Sequence, residues 1–245
     1  MRYGDLTYKE LKEGSRQGWL AIVPTGCTEQ QGPHLTVDFD TWFAEQVTLA
    51  ASVKAEQDFG VFSVVLPAIP FGPAPEHRNY GSGYVDIPQE LHERLVGAIL
   101  ISLAEQGFKR IVVWRGCGQH DLRHTVENFN RTNANHAHAF LPELPYREIM
   151  EGIAPGIPGG HADSFTTSIT MFLRPHAVRE DKIPTPVNDP IDWDDPTLDF
   201  SRYSSSGVIG DPSHSSPTLG ERLWTATIQN VALTLRNLTI QDIGL

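Results

Sequence analysis

The chain lacks most of the features that would give its class away at once. It has two cysteines, Cys27 and Cys117, too few for a disulfide framework. It has no apolar run near the roughly 20 residues that span a bilayer, so a membrane helix is not expected. Basic residues are outnumbered: 19 Lys and Arg face 30 Asp and Glu, a formal charge of −11, with no basic cluster. Nucleic acids and anionic membrane surfaces are therefore disfavoured as partners. Repeats and low-complexity tracts are also missing. The opening stretch Met1–Gly18 is polar and charged rather than a secretory leader. A reduced, cytoplasmic setting is the expectation.

What is present suits one large α/β domain over residues 1–245. Hydrophobic residues make up 40% of 245, enough for a sizeable core. Short β-rich runs at Leu20–Val23, Val61–Leu66 and Ile111–Trp114 predict buried strands. Helical spacing predicts a short helix within Leu6–Gly18 and longer ones over Thr41–Gln57, Glu90–Gln106 and Asp121–Thr132. Strand and helix alternate, which predicts a mainly parallel sheet with helices on both faces, a three-layer α/β/α sandwich. Further on, Ala137–Leu141 is a candidate strand and Thr166–Phe172 a helix. Lys182–Tyr203, dense in Pro and Asp, is an excursion over the surface or across a subunit boundary. The last helix has Ser216 as N-cap and Pro217 at its first position.

The chain is organised around Val23–Asp40, V-P-T-G-C-T-E-Q-Q-G-P-H-L-T-V-D-F-D. It places Glu29, Gln31, His34, Asp38 and Asp40 on a loop leaving a buried strand, where open α/β sheets carry their chemistry. Two other loops, Arg115–His120 and His161–Asp163, are expected at the same carboxyl edge. Together they offer carboxylates, imidazoles and a thiol, a donor set for a divalent transition metal.

The first loop resembles the opening pattern of the creatininase (creatinine amidohydrolase) family, Gly-Ser-x-Glu-Gln-His-Gly-Pro-His-Leu-Pro followed by an Asp. Gly26, Glu29, Gln30, Gly32, Pro33, His34, Leu35 and Asp40 match, and Gln31 stands at the first metal-binding His. Gly207–Pro212 is similar to a second family signature, and the Pro75-Glu76-His77 loop is a looser match. The resemblance implies a hexamer, a small-molecule substrate and two metals. One would be held by the Glu, the Asp and a His whose position is Cys117. The other would be held by the His at Gln31, the shared Asp and a carboxylate at Gln119 or Ser164.

With those replacements, one metal is expected on Glu29, Asp40 and Cys117, and the second is weak or absent unless His120 or Asp163 rebuilds it. Zinc is the expected ion, with manganese the alternative. His161, Asp163 and His120 are the candidate acid/base groups. His34 is expected to orient a carboxylate ligand. His77, His136, His138 and His214 read as structural or exposed, and Trp193 as lining a pocket or an interface. Asp40 also suits a helix N-cap. Cys117 stays open between ligand, core residue and nucleophile paired with His120. The expected activity is metal-dependent hydrolysis of a non-peptide C–N bond, as in a cyclic amide or formamide. The competing reading is a non-catalytic member with a degenerate centre, serving as an oligomeric ligand-binding or scaffold protein.

Overall fold

The computed structural model describes residues 1–186 and 190–244. Four parallel strands form one sheet: β1 (Leu20–Thr25), β2 (Ser63–Val65), β3 (Arg110–Arg115) and β4 (His138–Phe140), in the order β2-β1-β3-β4. The register pairs Ile22 with Val65 on one side and with Val112 on the other. Each strand is sequestered, as parallel sheets require. Strand β1 runs two residues past the expected end because Pro24 needs only its carbonyl, which accepts from the Ile69 amide at 3.0 Å.

Side chains alternate between two cores. Leu20, Ile22, Val112 and Trp114 face one side, where they meet α2 (Phe39–Phe59), α5 (Tyr146–Ile153), α6 (Ser164–Leu173) and α7 (Pro217–Ile240). Ala21, Val23, Ile111 and Val113 face the other. There α3 (Gln89–Glu105) supplies Val96, Leu100 and Leu103, and α4 (Arg123–Thr132) supplies Val126 and Phe129. The peripheral helix α1 (Tyr8–Arg16) adds Leu11, and a Thr7–Glu10 capping box starts it. The expected sandwich is thus present, with helix ends within two residues of most predictions.

Caps fix where the site-bearing helices begin. Asp163 accepts from the amides of Phe165 and Thr166 and starts α6; Ser216 accepts from Leu219 at 3.1 Å and starts α7 behind Pro217. Asp38 precedes α2 but makes no capping bond; both its oxygens accept from Arg174, at 2.9 and 3.0 Å. Gly26 and Gly116, at the ends of β1 and β3, lie against the first turn of α2, where a Cβ would collide with the Thr41 and Asp40 backbone. That contact brings Asp40 over the sheet edge.

The Lys182–Tyr203 excursion falls partly on residues 187–189, which lie outside the described residues. The rest holds little regular structure until a 3-10 turn at Phe200–Arg202, whose Phe200 is buried. Among the described residues, no helix is long and apolar enough to cross a membrane.

Candidate metal centre

The carboxyl ends of β1 and β3 open into a cavity of about 900 Å³. Glu29, Asp40, Glu76, Cys117 and His161 line it, and Phe39, Tyr146, Phe165, Trp193 and Phe200 add aromatic surface. Trp193 therefore lines a pocket, one of its two expected places.

Glu29 and Asp40 are both buried and close together. Burial raises the pKa of each, and the neighbouring Glu29 charge raises Asp40 further. The Gln31 amide nitrogen donates to Glu29 Oε1 at 3.4 Å and to Asp40 Oδ2 at 3.2 Å. A donor thus stands where the family pattern has a metal-binding imidazole. The Cys27 thiol donates to Glu29 Oε2 at 2.8 Å and lies 3.2 Å from Asp40 Oδ2. Burial pushes Cys27 well above the usual thiol range. For Cys117, its hydrogen bond with Cys27 lowers the pKa, but burial and the two carboxylates outweigh it and bring the thiol to about 11. Such a thiol is protonated at neutral pH and a poor nucleophile.

Two histidines flank Glu29, and their other nitrogens decide what each can do. His161 Nε2 is 2.6 Å from the Gln30 carbonyl, which only accepts, so Nε2 carries the hydrogen. Burial lowers His161 to about 3, so the ring is neutral and Nδ1 bears a lone pair. That lone pair faces Glu29 Oε1 at 3.4 Å. His77 is the opposite tautomer. The Gln30 side-chain oxygen accepts from the Gly32 amide at 2.8 Å, so its nitrogen points at His77 Nδ1, 3.0 Å away. His77 Nδ1 then accepts, and Nε2–H faces Glu29 Oε2 at 3.4 Å without forming a hydrogen bond. Although Glu29, His77 and His161 converge within 4.8 Å, His77 is a donor toward Glu29 rather than a ligand.

Asp163 is buried, and its oxygens accept from Gly160, Phe165 and Thr166, so it holds the loop that presents His161. Ala162 between them has φ +54°, a strained left-handed conformation for a residue with a Cβ. His34 is buried, but its Nε2 lies 2.8 Å from the Thr167 hydroxyl rather than on a carboxylate. Gln119 is exposed at the cavity rim. His120 is fully buried rather than facing water; it groups with Cys27 and Cys117, while Glu29 and Asp40 group with Cys27. His77 is also fully buried, whereas His136 and His214 are exposed and His138 is half-buried.

Sequence reasoning missed Cys27, which stands at the Ser of the family pattern, and Glu76, a buried carboxyl that burial raises to about 7. The adjacency of Cys27 to Glu29 was visible as spacing; nothing local marked Glu76.

This is a three-layer parallel α/β protein with a cluster of acidic and imidazole donors at the carboxyl edge of its sheet. The chain belongs to the creatininase family: the family model described as creatinine amidohydrolase matches residues 4–235. A mycofactocin precursor peptide peptidase from Mycolicibacterium smegmatis is 27% identical over 221 residues, covering 87% of this chain and 83% of that protein. A 3-dehydro-scyllo-inosose hydrolase from Thermotoga maritima is 25% identical over 185 residues, covering 72% of this chain and 57% of the relative. Among solved structures, a manganese creatininase superposes with TM-score 0.83 at 20% identity, over 96% of this chain and 97% of that one. A mutant creatininase of Zn-Zn type gives 0.81 at 20% identity, over 96% of each chain.

The residues present fit a divalent ion. Glu29 and Asp40 are two carboxyls in one buried space with the Cys27 sulfur within 4.8 Å, and among the described residues no Lys or Arg pairs with either carboxyl. The His161 lone pair and the Glu29 oxygen it faces are two acceptors that a divalent ion can bridge.

Proposed function

We propose that this protein is a metal-dependent hydrolase of C–N bonds other than peptide bonds, acting on a small cyclic amide or formamide. The observation that carries the reading is the His161 Nδ1 lone pair facing Glu29 Oε1 at 3.4 Å, two acceptor atoms that a cation between them would satisfy. Glu29, Asp40 and His161 are the residues that would hold the ion, zinc first and manganese second. A divalent ion there supplies Lewis acidity, polarising a carbonyl and making water acidic near neutral pH.

The chain's own residues supply the rest. Gln30 locks both flanking imidazoles in opposite tautomers. His77 Nε2–H faces Glu29 Oε2 at 3.4 Å, so it presents a hydrogen there and no lone pair to the ion. Glu76, at about 7, is matched to moving a proton at neutral pH and lines the same cavity, so it is the group to protonate a leaving nitrogen. The aromatic walls favour a flat or ring-shaped substrate and exclude water around it. Gln31, with its amide on both carboxylates, favours one ion at this position over the family's pair. A hexameric assembly and a cytoplasmic setting belong to the same reading.

The test combines metal analysis with turnover. Protein reconstituted with zinc or manganese is expected to hold metal and to open cyclic amides or formamides in a chelator-sensitive way. Glu29→Gln is expected to lose that turnover by about 10³-fold or more while keeping its circular dichroism. Metal-free protein after reconstitution would defeat the reading. It would favour the second one, a non-catalytic ligand-binding oligomer, for which the Gln31 amide between the carboxylates is the specific observation.

A further inference from the structure

Beyond the carboxylates, the loops after β1 and β3 bring together a second set of donors. In the β1/β3 pairing Thr25 lies opposite Arg115. Cys27 and Cys117 are each two residues further on, so two strands about 4.8 Å apart deliver the thiols side by side. Their sulfurs and one ring nitrogen of His120 all lie within 4.8 Å of one another. All three residues are buried, His120 completely, and both cysteines are free. His120 Nε2 is 3.2 Å from the Pro73 carbonyl, which only accepts, so Nε2 carries the hydrogen and Nδ1 a lone pair. That Nδ1 is fully buried and has no hydrogen-bond partner. The ring has little freedom to turn elsewhere: Gly72 packs so closely that a Cβ there would collide with it, and His92 stacks edge-on at 4.8 Å.

We propose that Cys27, Cys117 and His120 form a soft-metal site of their own, binding a zinc-class cation through two sulfurs and one imidazole nitrogen. Its donors differ in kind from the oxygen-rich Glu29/Asp40 position. Thiolate and imidazole select zinc-class ions, whereas carboxylates serve manganese as well. Cys27, in contact with Glu29 and Asp40, is where the two positions meet. The family pattern places Ser and His at the positions of Cys27 and Cys117, so the two thiols arrive together at laterally matched positions. The inference does not depend on the hydrolase reading, since a non-catalytic protein would keep this site.

The experiment is a cobalt(II) titration of the full chain after chelator stripping, followed by near-ultraviolet absorption. Sulfur ligation gives a thiolate-to-cobalt charge-transfer band that oxygen and nitrogen ligands do not. The band is expected in the wild type, at about half intensity in Cys117→Ser and Cys27→Ser, and at full intensity in Glu29→Gln. His120→Asn is expected to weaken cobalt binding by about tenfold or more. Cobalt bound without the band would overturn the thiol site and leave the carboxylate reading standing. A band that vanishes in Glu29→Gln would also overturn it, by showing one carboxylate-dependent site. No cobalt bound at all would defeat both. Should the serine variants fail to fold, X-ray absorption of the zinc-loaded wild type decides: a zinc–sulfur shell near about 2.3 Å supports the site, and its absence refutes it.

Discussion

The two faces of the sheet and its carboxyl edge are buried to the same degree, yet they are held by different physics. On the faces, Leu20, Ile22, Val112 and Phe43 are almost completely inaccessible and surrounded by apolar atoms. At the edge, Glu29, Gln31, His77 and His161 are nearly as inaccessible, but they are polar, and imidazole nitrogens there, His77 Nε2, His34 Nδ1 and His120 Nδ1, are buried without a hydrogen-bond partner. Burial stabilises the first set and strains the second. Low exposure therefore does not separate core from site here; satisfaction does.

That contrast is sharpened most by removing a core side chain. Phe43→Ala should cost about 3–5 kcal/mol, read as a drop in the urea midpoint, because Phe43 packs on Phe39, Tyr146 and Phe165 at once. A loss below about 1 kcal/mol would mean that α2 is not anchored as described.

Acid comes next. Burial holds His34 near 4, against an ordinary 6.5. Its folded pKa is depressed, so the unfolded chain takes up the proton first. The contribution is complete above pH 6.5 and is lost as pH falls toward 4, about 3 kcal/mol at full extent. Urea melts at pH 7 and 4.5 should show the loss, and His34→Gln should reduce it. A slope unchanged by that substitution would remove His34 from the account.

Asp163→Ala is smaller, about 1–2 kcal/mol for a helix cap whose Oδ1 serves the helix while Oδ2 accepts from Gly160. It should be visible as a lowered melting temperature; Asp163→Asn should recover part of the loss. The smallest effect is expected at the centre of the site. Glu29→Gln, in metal-free protein, should leave stability within about 0.5 kcal/mol of wild type or raise it, since it removes a buried charge from an acidic cluster. A loss as large as that of Phe43→Ala would abolish the distinction between site and core.

Much of this architecture was legible from local pattern. The β-branched runs around Ile22, Val64 and Val112 and the helical stripes between them are short-range signals, and the alternation of the two implies the parallel sheet. Ser216-Pro217 announced its helix because capping involves only neighbouring residues. Glu29 and Asp40 stood out because one loop carries both. His77 did not, since its Pro/Gly-rich loop gives no register, and only folding carries it onto Glu29. His34 matched a motif but was misplaced in role, because its partner Thr167 lies on a distant helix. Glu76 carried no local signal, because its burial arises only on folding.

The sequence by itself determined the layers, the strand order along the chain, the family, and which residue types reach the carboxyl edge. These follow from periodicity and loop chemistry, which act over a few residues. The tertiary structure alone decided the rest. Lateral pairing of β1 with β3 set Cys27 beside Cys117, close approach at Gly72 fixed the His120 ring, and Gln30 assigned opposite tautomers to His77 and His161. Each depends on contacts between segments far apart in the chain, and no local pattern encodes such a contact.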